Sequence, residues 1–284
     1  MWSLLVARRR ESKPLGGVLR LFSSVMSAVA VGAHVMGKDP LAEAAAVGAD
    51  CIQLFLSNPQ GWERPPERED AGDLRASETG IYVHAPYLIN VCSPKPNVRY
   101  GSRKILTQTC DAATAVGALA VIVHPGHAED GLEAGVGRWS RTLEMLESDV
   151  PVYLENTAGG DHAVARRFDA LARLWEQVAG ADTDVEIGFC FDTCHAHAAG
   201  EELADAVERV IAITGGIDLL HVNDSRDPPG TGADRHANIG AGTIDLDVLG
   251  HMIRAAAAPS VVETPREVEA LRADVEFVRA ALAG

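Results

Sequence analysis

Residues 219–242 read LLHVNDSRDPPGTGADRHANIGAG: a short apolar run ending in His221, a polar loop rich in Gly and Pro, then Asp234-Arg235-His236 and a close on Gly240 and Gly242. Three residues of metal-ligating type, His221, Asp234 and His236, therefore leave one strand end within sixteen positions. Working outward, five further segments share the opening form, an apolar run that terminates in His, Asp or Glu. They are IYVH at 81–84, VIVH at 121–124, VYLE at 152–155, FCFD at 189–192 and VVE at 261–263. Short, almost wholly apolar runs are what a parallel sheet covered on both faces requires of its strands.

Strands are expected at 28–34, 51–56, 81–84, 120–124, 152–155, 186–192, 219–221 and 261–263. Amphipathic stretches separate them at 41–47, 70–77, 102–116, 138–146, 162–178, 204–213 and 246–257, and 268–283 closes the chain. Eight strand–helix units is the count of an α/β fold of the (β/α)8 TIM-barrel type, and 284 residues suits that fold, whose usual size is roughly 250. Periodicity does not show closure, so a doubly wound open sheet stands as the second architecture. In a barrel the C-terminal strand ends face one mouth, which would bring His84, His124, Glu155, Asp192, His221 and Glu263 into one pocket. His195, three positions after Asp192, would join them with the pair Asp234 and His236.

A hydrophobic content of 47% supplies a large core, and with aromatics at only 5% the filling falls to Ala, Val, Leu and Ile. The formal charge of −15 excludes a global basic footprint for nucleic acid. Three bound Zn²⁺ would bring −15 only to −9, so any polyanion must be attracted locally, by metals and a few Arg and Lys. The five cysteines, Cys51, Cys92, Cys110, Cys190 and Cys194, are an odd number without a small-domain framework and read as reduced thiols. Cys190 and Cys194 are expected as small buried hydrophobes on alternate positions of a strand.

Residues 1–25 carry Arg8, Arg9, Arg10, Lys13 and Arg20 against only Glu11, with no apolar run of the ~18 residues a membrane span needs. The expectation is an N-terminal extension, disordered or upstream of a true start at Met26, with an organellar transit peptide or nucleic-acid-binding arm as alternatives. Residues 26–284 then form one catalytic domain.

Singly, a His or carboxylate ending a strand is as ordinary as a capping or loop residue. Nine together are not. Four carboxylates and five imidazoles packed at one mouth would suffer like-charge repulsion and desolvation unless cations sit among them. Imidazole and carboxylate without thiolate suit Zn²⁺ or Mn²⁺ in open, catalytic coordination.

These residues also carry a resemblance. From about 29 to 283 the chain resembles endonuclease IV, the zinc-dependent apurinic/apyrimidinic endonuclease of bacteria (AP endonuclease family 2). The matching motifs are GAHV at 32–35, HAPYLIN at 84–90, HPG at 124–126, ENTAG at 155–159, FDTCHAHAAG at 191–200, HVNDS at 221–225, DRHANIGAG at 234–242 and ETP at 263–265, in family order. The resemblance implies three zinc ions: one on His84, His124 and Glu155; one on Glu155 as bridge with Asp192, His221 and Glu263; one on His195, Asp234 and His236. It implies a cytoplasmic DNA-repair hydrolase that cuts the phosphodiester 5′ to an abasic site, leaves a 3′-hydroxyl, and clears blocked 3′ ends. Clustered divalent ions suit this chemistry, because they generate hydroxide near neutral pH and stabilise charge at phosphorus and on the leaving oxygen. Glu155 would be the catalytic bridge. A lyase would instead need a Schiff-base lysine, and only Lys95 lies near the mouth motifs.

For duplex DNA the resemblance implies that Tyr87 and Leu88 act as wedges in the gap left by an extruded abasic nucleotide. Asn58 and Trp62 match a second contact loop, whose other reading is a turn residue and a core aromatic. Gln60 departs from the Arg common in relatives, which puts one insertion or phosphate contact in question. His34 is expected to line the site or contact phosphate. Arg235 is expected to meet phosphate oxygens with its fork, and His127 is a second candidate. His197 is expected at a helix start, His162 and His251 on helix surfaces, Trp139 and Trp175 packed from helices onto the barrel, and 63–75 as a solvated loop and helix. One substrate mouth is compatible with a monomer, and no membrane partner is implied. Two other functions remain in view: a metal-dependent sugar isomerase or epimerase of the related barrel class, for which the third metal set would be superfluous, and a catalytically silent binder, which has no missing ligand to support it.

Overall fold

The computed structural model describes residues 29–284, so the expectation for the basic leader lies outside the described residues. Eight parallel strands close a barrel, which excludes the open sheet. They are β1 (Val31–His34), β2 (Cys51–Leu54), β3 (Gly80–His84), β4 (Ala120–Val123), β5 (Val152–Glu155), β6 (Ile187–Asp192), β7 (Leu219–His221) and β10 (Ser260–Val262), and β1 pairs with both β2 and β10. A two-stranded antiparallel ribbon, β8 (Asp224–Ser225) with β9 (His236–Ala237), lies in the long loop after β7. The helices are α1 (Pro40–Val47), α2 (Ala71–Ala76), α3 (Pro96–Ala115), α4 (Leu132–Leu143), α5 (Phe168–Ala179), α6 (Thr193–Ala199), α7 (Ala206–Thr214), α8 (Leu246–Ala256) and α9 (Val268–Ala283). Among the described residues no helix is long and apolar enough to cross a membrane.

Helix α4 begins at Leu132, six residues before the expected 138, and two further helix starts differ from expectation for local reasons. Pro96 sits in the first turn of α3, where its missing N–H is no loss, so the helix begins before Ser102. Conversely, α5 begins only at Phe168. The preceding residues form a turn at Gly160, with φ of 92°, and Ala163 bridges to His127, so exposed His162 is a turn residue and not a helical one. Helix α6 begins at Thr193, four residues before the start expected at His197, and the β8–β9 ribbon lay inside motifs whose polar content hid it.

The strand period of two separates an outer and an inner layer. Outward residues such as Val121, Val123, Leu154, Phe189 and Leu220 join the core under the helices, together with fully buried Trp139 on α4. Half-buried Trp175 on α5 stands edge-on to Phe189 at 5.9 Å. Inside the barrel a smaller cluster of Cys51, Tyr82, Ala120, Ile122, Cys190, Leu219 and Val261, with Tyr153 against it, fills the lower layer. Two positions further along the same strands come Gln53, His84, His124, Glu155, Asp192, His221 and Glu263. The side-chain alternation that fills the barrel floor thus delivers the polar residues to the layer above it.

β1 carries Gly32 at its inward position because nothing larger fits. A Cβ there would stand 1.6 Å from the carbonyl oxygen of Cys51. Overpacking of that kind costs about 3 kcal/mol or more, since a backbone and not a flexible tip must yield. Gly32→Ala should lower the unfolding free energy by that amount, seen as a lower urea midpoint at unchanged slope; a midpoint equal to the parent's would mean that β1 and β2 separate freely.

Candidate metal centre

Glu155, the last residue of β5, is fully buried and has four imidazoles around it. His221 Nδ1 is 3.0 Å, His124 Nε2 3.1 Å, His84 Nε2 3.2 Å and His195 Nδ1 3.3 Å from its oxygens. His221 Nδ1 also lies 3.3 Å from Glu263 and 4.0 Å from Asp192. Asp234, the most exposed member, reaches His236 at 3.0 Å and His195 at 3.3 Å. The nine strand-end and loop residues therefore form one continuous cluster. Its compact groups, with possible donor atoms within 4.8 Å of one another, include His84/His124/Glu155 and Glu155/Asp192/His221/Glu263. In the third region the compact groups are Asp192/His195/His236 and Cys194/Asp234/His236, so Asp192 and the Cys194 sulfur stand closer to this end than expected. Cys194 lies on α6 and not on the strand with Cys190, and burial pushes its thiol up to about 12. The Cys190 thiol is likewise raised well above its usual value by burial. Both are therefore poor thiolate donors, and all five cysteines are free and buried.

Local structure explains the arrangement. Asp192 ends β6 and caps α6, its Oδ1 accepting from the His195 N–H at 2.7 Å, so the spacing Asp-x-x-His sets both side chains at one corner. Asn156 brackets the same turn: its amide accepts from Asp192 N and donates to Asp192 O, and its carbonyl accepts from His195 Nδ1 at 2.8 Å. Asn223 Nδ2 donates to Asp192 Oδ2 at 2.7 Å, while its Oδ1 accepts from Glu263 N at 2.8 Å. The loop bearing Asp234 and His236 is tied down by buried Asp224, which accepts from the N–H groups of Ser225, Gly240, Gly242 and Ile244. Gly242 is needed there, because a Cβ would stand 2.3 Å from the Asp224 oxygen.

The donor set fits a cation. The rings of His84, His195 and His236 place Nδ1 against the carbonyls of Ala85, Asn156 and Glu263, which requires N–H at Nδ1 and leaves a lone pair at Nε2. The Nε2 atoms of His124 and His236 are buried without a hydrogen-bond partner, although carboxylate oxygens lie 3.1 and 3.0 Å away. Close approach outside hydrogen-bond geometry is what results when both groups aim lone pairs at a third atom. Burial raises the Glu155 carboxyl, but the charges of His221 and His124 outweigh it and hold the group well below its ordinary range. Burial opposes protonation of His221 and His236, yet Glu263 and Glu155 around the first, and Asp234 and Asp192 around the second, lift each ring to about 9. Protons hold the cluster together electrostatically wherever no metal does.

A family model described as a xylose isomerase-like TIM barrel matches residues 41–281. The chain is 56% identical to the probable endonuclease 4 of Mycobacterium marinum over 251 residues, 88% of this chain and 97% of the relative. It belongs to the endonuclease IV family. Among solved structures it is similar to endonuclease IV from Thermus thermophilus, at 28% identity and a TM-score of 0.75, covering 89% of this chain and 99% of that one. A D-tagatose 3-epimerase-like protein shares the fold alone, at 19% identity and a TM-score of 0.71 over 89% of this chain and 97% of that one.

In this endonuclease IV family member, Tyr87 stands half-exposed over the cluster, its ring 5.3 Å from His84 and 5.6 Å from His124. It separates two cavities of about 180 Å³ each, one bordered by His34, Glu263 and Arg266, the other by His124, His195 and exposed His127. Leu88 is half-buried beside it. Asn58 is an exposed turn residue whose Oδ1 accepts from Gln60 N, and Gln60 is exposed. Pro59 O accepts from Tyr87 N, which joins this loop to the mouth. Trp62 is 45% exposed and packs on Gly101 of α3, so it is not a core aromatic. Arg235 is exposed, and one edge of its guanidinium is held by Asp227, with Nε to Oδ2 at 2.7 Å and Nη2 to Oδ1, which leaves Nη1 outside that pair. His197 is buried within α6, not at its start, bonded to the Asp227 carbonyl. His251 is on the surface of α8, beside Glu208. Residues 63–75 are a mostly exposed loop leading into α2. Gln53, Asn156, Asn223 and Asp224 were missed as supports; the last three lie inside the quoted motifs, whereas Gln53 has no sequence signal beyond a polar residue in an apolar strand.

A ring whose folded value is raised from ~6.5 to about 9 contributes stability that is complete below ~6.5 and lost as pH rises through 9. The chelator-treated protein should therefore lose stability between pH 6.5 and 9, by on the order of a few kcal/mol, while zinc-supplemented protein should not. Urea midpoints across that window check this, and parallel profiles with and without zinc would contradict it.

Proposed function

We propose that the chain is a DNA-repair endonuclease that hydrolyses the phosphodiester 5′ to abasic sites in duplex DNA, leaving a 3′-hydroxyl, and that it also removes blocked 3′ ends. The observation that carries this is the single cluster around Glu155, in a chain 56% identical to a probable endonuclease 4 along most of its length. In this proposal three zinc ions are held as the family pattern has it: one by His84, His124 and Glu155, one by Glu155, Asp192, His221 and Glu263, and one by His195, Asp234 and His236. Mn²⁺ suits the same donors at one or more positions. When bound, such ions lower the pKa of water in the site, polarise phosphoryl oxygens and neutralise charge on the leaving 3′ oxygen.

The protein's own residues supply the rest. Glu155 offers its two oxygens to different partners, Oε2 to His84 and His124 and Oε1 to His221 and His195, which suits a bridging role. Tyr87 and Leu88 stand at the mouth where an extruded nucleotide would leave a gap, and Asn58, Gln60 and Trp62 extend that edge. The three lysines of the described residues, Lys38, Lys95 and Lys104, are exposed, and none borders the cavities flanking the cluster, so hydrolysis is favoured over Schiff-base elimination. With a net charge of −15, affinity for DNA must come from the site itself. Residues 26–284 would act as one catalytic domain and as a monomer, in the bacterial cytoplasm where its substrate lies. An epimerase would share the barrel but have no use for the third ligand set.

Incision of a duplex containing one abasic-site analogue should stop on verified metal removal and return with zinc, with about three zinc per chain by atomic spectroscopy at full activity. Persistent cleavage without metal, or an elimination product in place of a 3′-hydroxyl, would overturn the mechanism. Glu155→Ala should reduce incision by at least three orders of magnitude while circular dichroism shows an intact barrel, because it removes the one carboxylate shared by four imidazoles; retained incision would count against its role.

A further inference from the structure

Gln53 is the third residue of β2 and is fully buried, so its amide must find partners for one oxygen and two N–H donors inside the protein. All three partners are residues of the site: Oε1 is 2.8 Å from His221 Nε2, and Nε2 is 2.6 Å from Glu263 Oε1 and 2.9 Å from His34 Nδ1. The orientation is determined chemically. An ionised carboxylate only accepts, so the amide nitrogen faces Glu263 and the amide oxygen faces His221. His221 must then carry a proton on Nε2, which leaves Nδ1 to meet the oxygens of Glu155 and Glu263 at 3.0 and 3.3 Å.

This is the reverse of its neighbours. His84, His195 and His236 are held at Nδ1 by backbone carbonyls and present Nε2. A ring that must present Nδ1 needs its acceptor at the far end, where only another side chain reaches. Toward His34 the same amide acts oppositely, donating to Nδ1 and so placing the proton on Nε2. That Nε2–H is buried without a hydrogen-bond partner, and His34 borders the cavity shared with Tyr87, Glu263 and Arg266.

We propose that Gln53 is a positioning residue that sets the ring tautomers of two histidines at once, freeing Nδ1 of His221 for the metal between Glu155, Asp192 and Glu263, and turning Nε2–H of His34 into a donor for an anionic substrate oxygen. The inference rests on the metal-centre proposal above. It assigns to one buried amide both a metal-affinity role and a substrate-orienting role.

The test uses the full chain with ¹⁵N-labelled histidine and zinc, resonances being assigned with His34→Gln and His221→Gln. In the zinc-loaded wild type, long-range ¹H–¹⁵N spectra should show His221 as the Nε2–H form with a metal-bound Nδ1, and His34 as the Nε2–H form. Either ring in the other form overturns the proposal without any Gln53 variant. Gln53→Met keeps the length of the side chain and removes its hydrogen bonds. Competition with a zinc-binding dye should then show one zinc equivalent weakened 10–100-fold, the others unchanged, with the His221 and His34 patterns altered. Equal zinc affinity and identical ring spectra in this variant overturn the role of Gln53 alone. A wild type that takes up no zinc refutes the metal-centre proposal itself, so the two failures are distinguishable.

Discussion

A carboxylate buried to zero exposure among four imidazoles is the constraint on which the rest of the structure depends. Left neutral and uncompensated, Glu155 would strand hydrogen-bonding atoms in a dry interior; left charged and unpaired, it would cost several kcal/mol in desolvation. The barrel resolves this by geometry. Because strand side chains alternate, the floor residues of β3 to β7 are followed two positions later by ionisable ones, His84, His124, Glu155, Asp192 and His221, at or just past each strand end. Protons or cations must then balance the layer, and an arrangement that accepts either is one that metal binding can compete for.

The fold was legible because its signal repeats. Six apolar runs ending in His, Asp or Glu carry the parallel strands and their common direction in the same few letters, and the alternation of 82 with 84, or 153 with 155, separates floor from site. Eight of the nine clustered residues were legible for the same reason, since each falls at a strand end or in the one long loop that returns to the mouth, and His195 follows Asp192 by three positions, in the first turn of α6. What was not legible depends on contacts between distant segments. The pairing of one edge of Arg235 with Asp227, eight residues earlier, had no signal in the sequence. Cys194 left the strand because Asp192 caps a helix there. Gln53 is a single amide whose partners lie 19, 168 and 210 positions away, a separation no local pattern encodes.

Two buried aspartates show how the mouth is kept rigid without enlarging the cluster. Asp224 gathers four backbone N–H groups of the loop 225–244, and Asp274 on α9 accepts from Asn238 Nδ2, Ile239 N and Thr264 Oγ1. Both are taken up by backbone, amide and hydroxyl donors, so neither competes for the imidazoles. Asp224 holds the segment that follows β9, and Asp274 ties the start of that segment to Thr264 after β10, which fixes the loop that presents an exposed Asp234 beside a buried His195.

Asp192 belongs to the cluster through one oxygen and to α6 through the other. The first turn of that helix and the electrostatic state of the pocket are therefore not separable events. Anything that draws the carboxylate toward the pocket tightens or slackens the bond to the His195 amide, and α6 is buried along its whole length, so solvent cannot substitute. The exchange rate of that single amide hydrogen with deuterated water becomes a gauge of what occupies the barrel mouth, readable from the backbone and without a substrate.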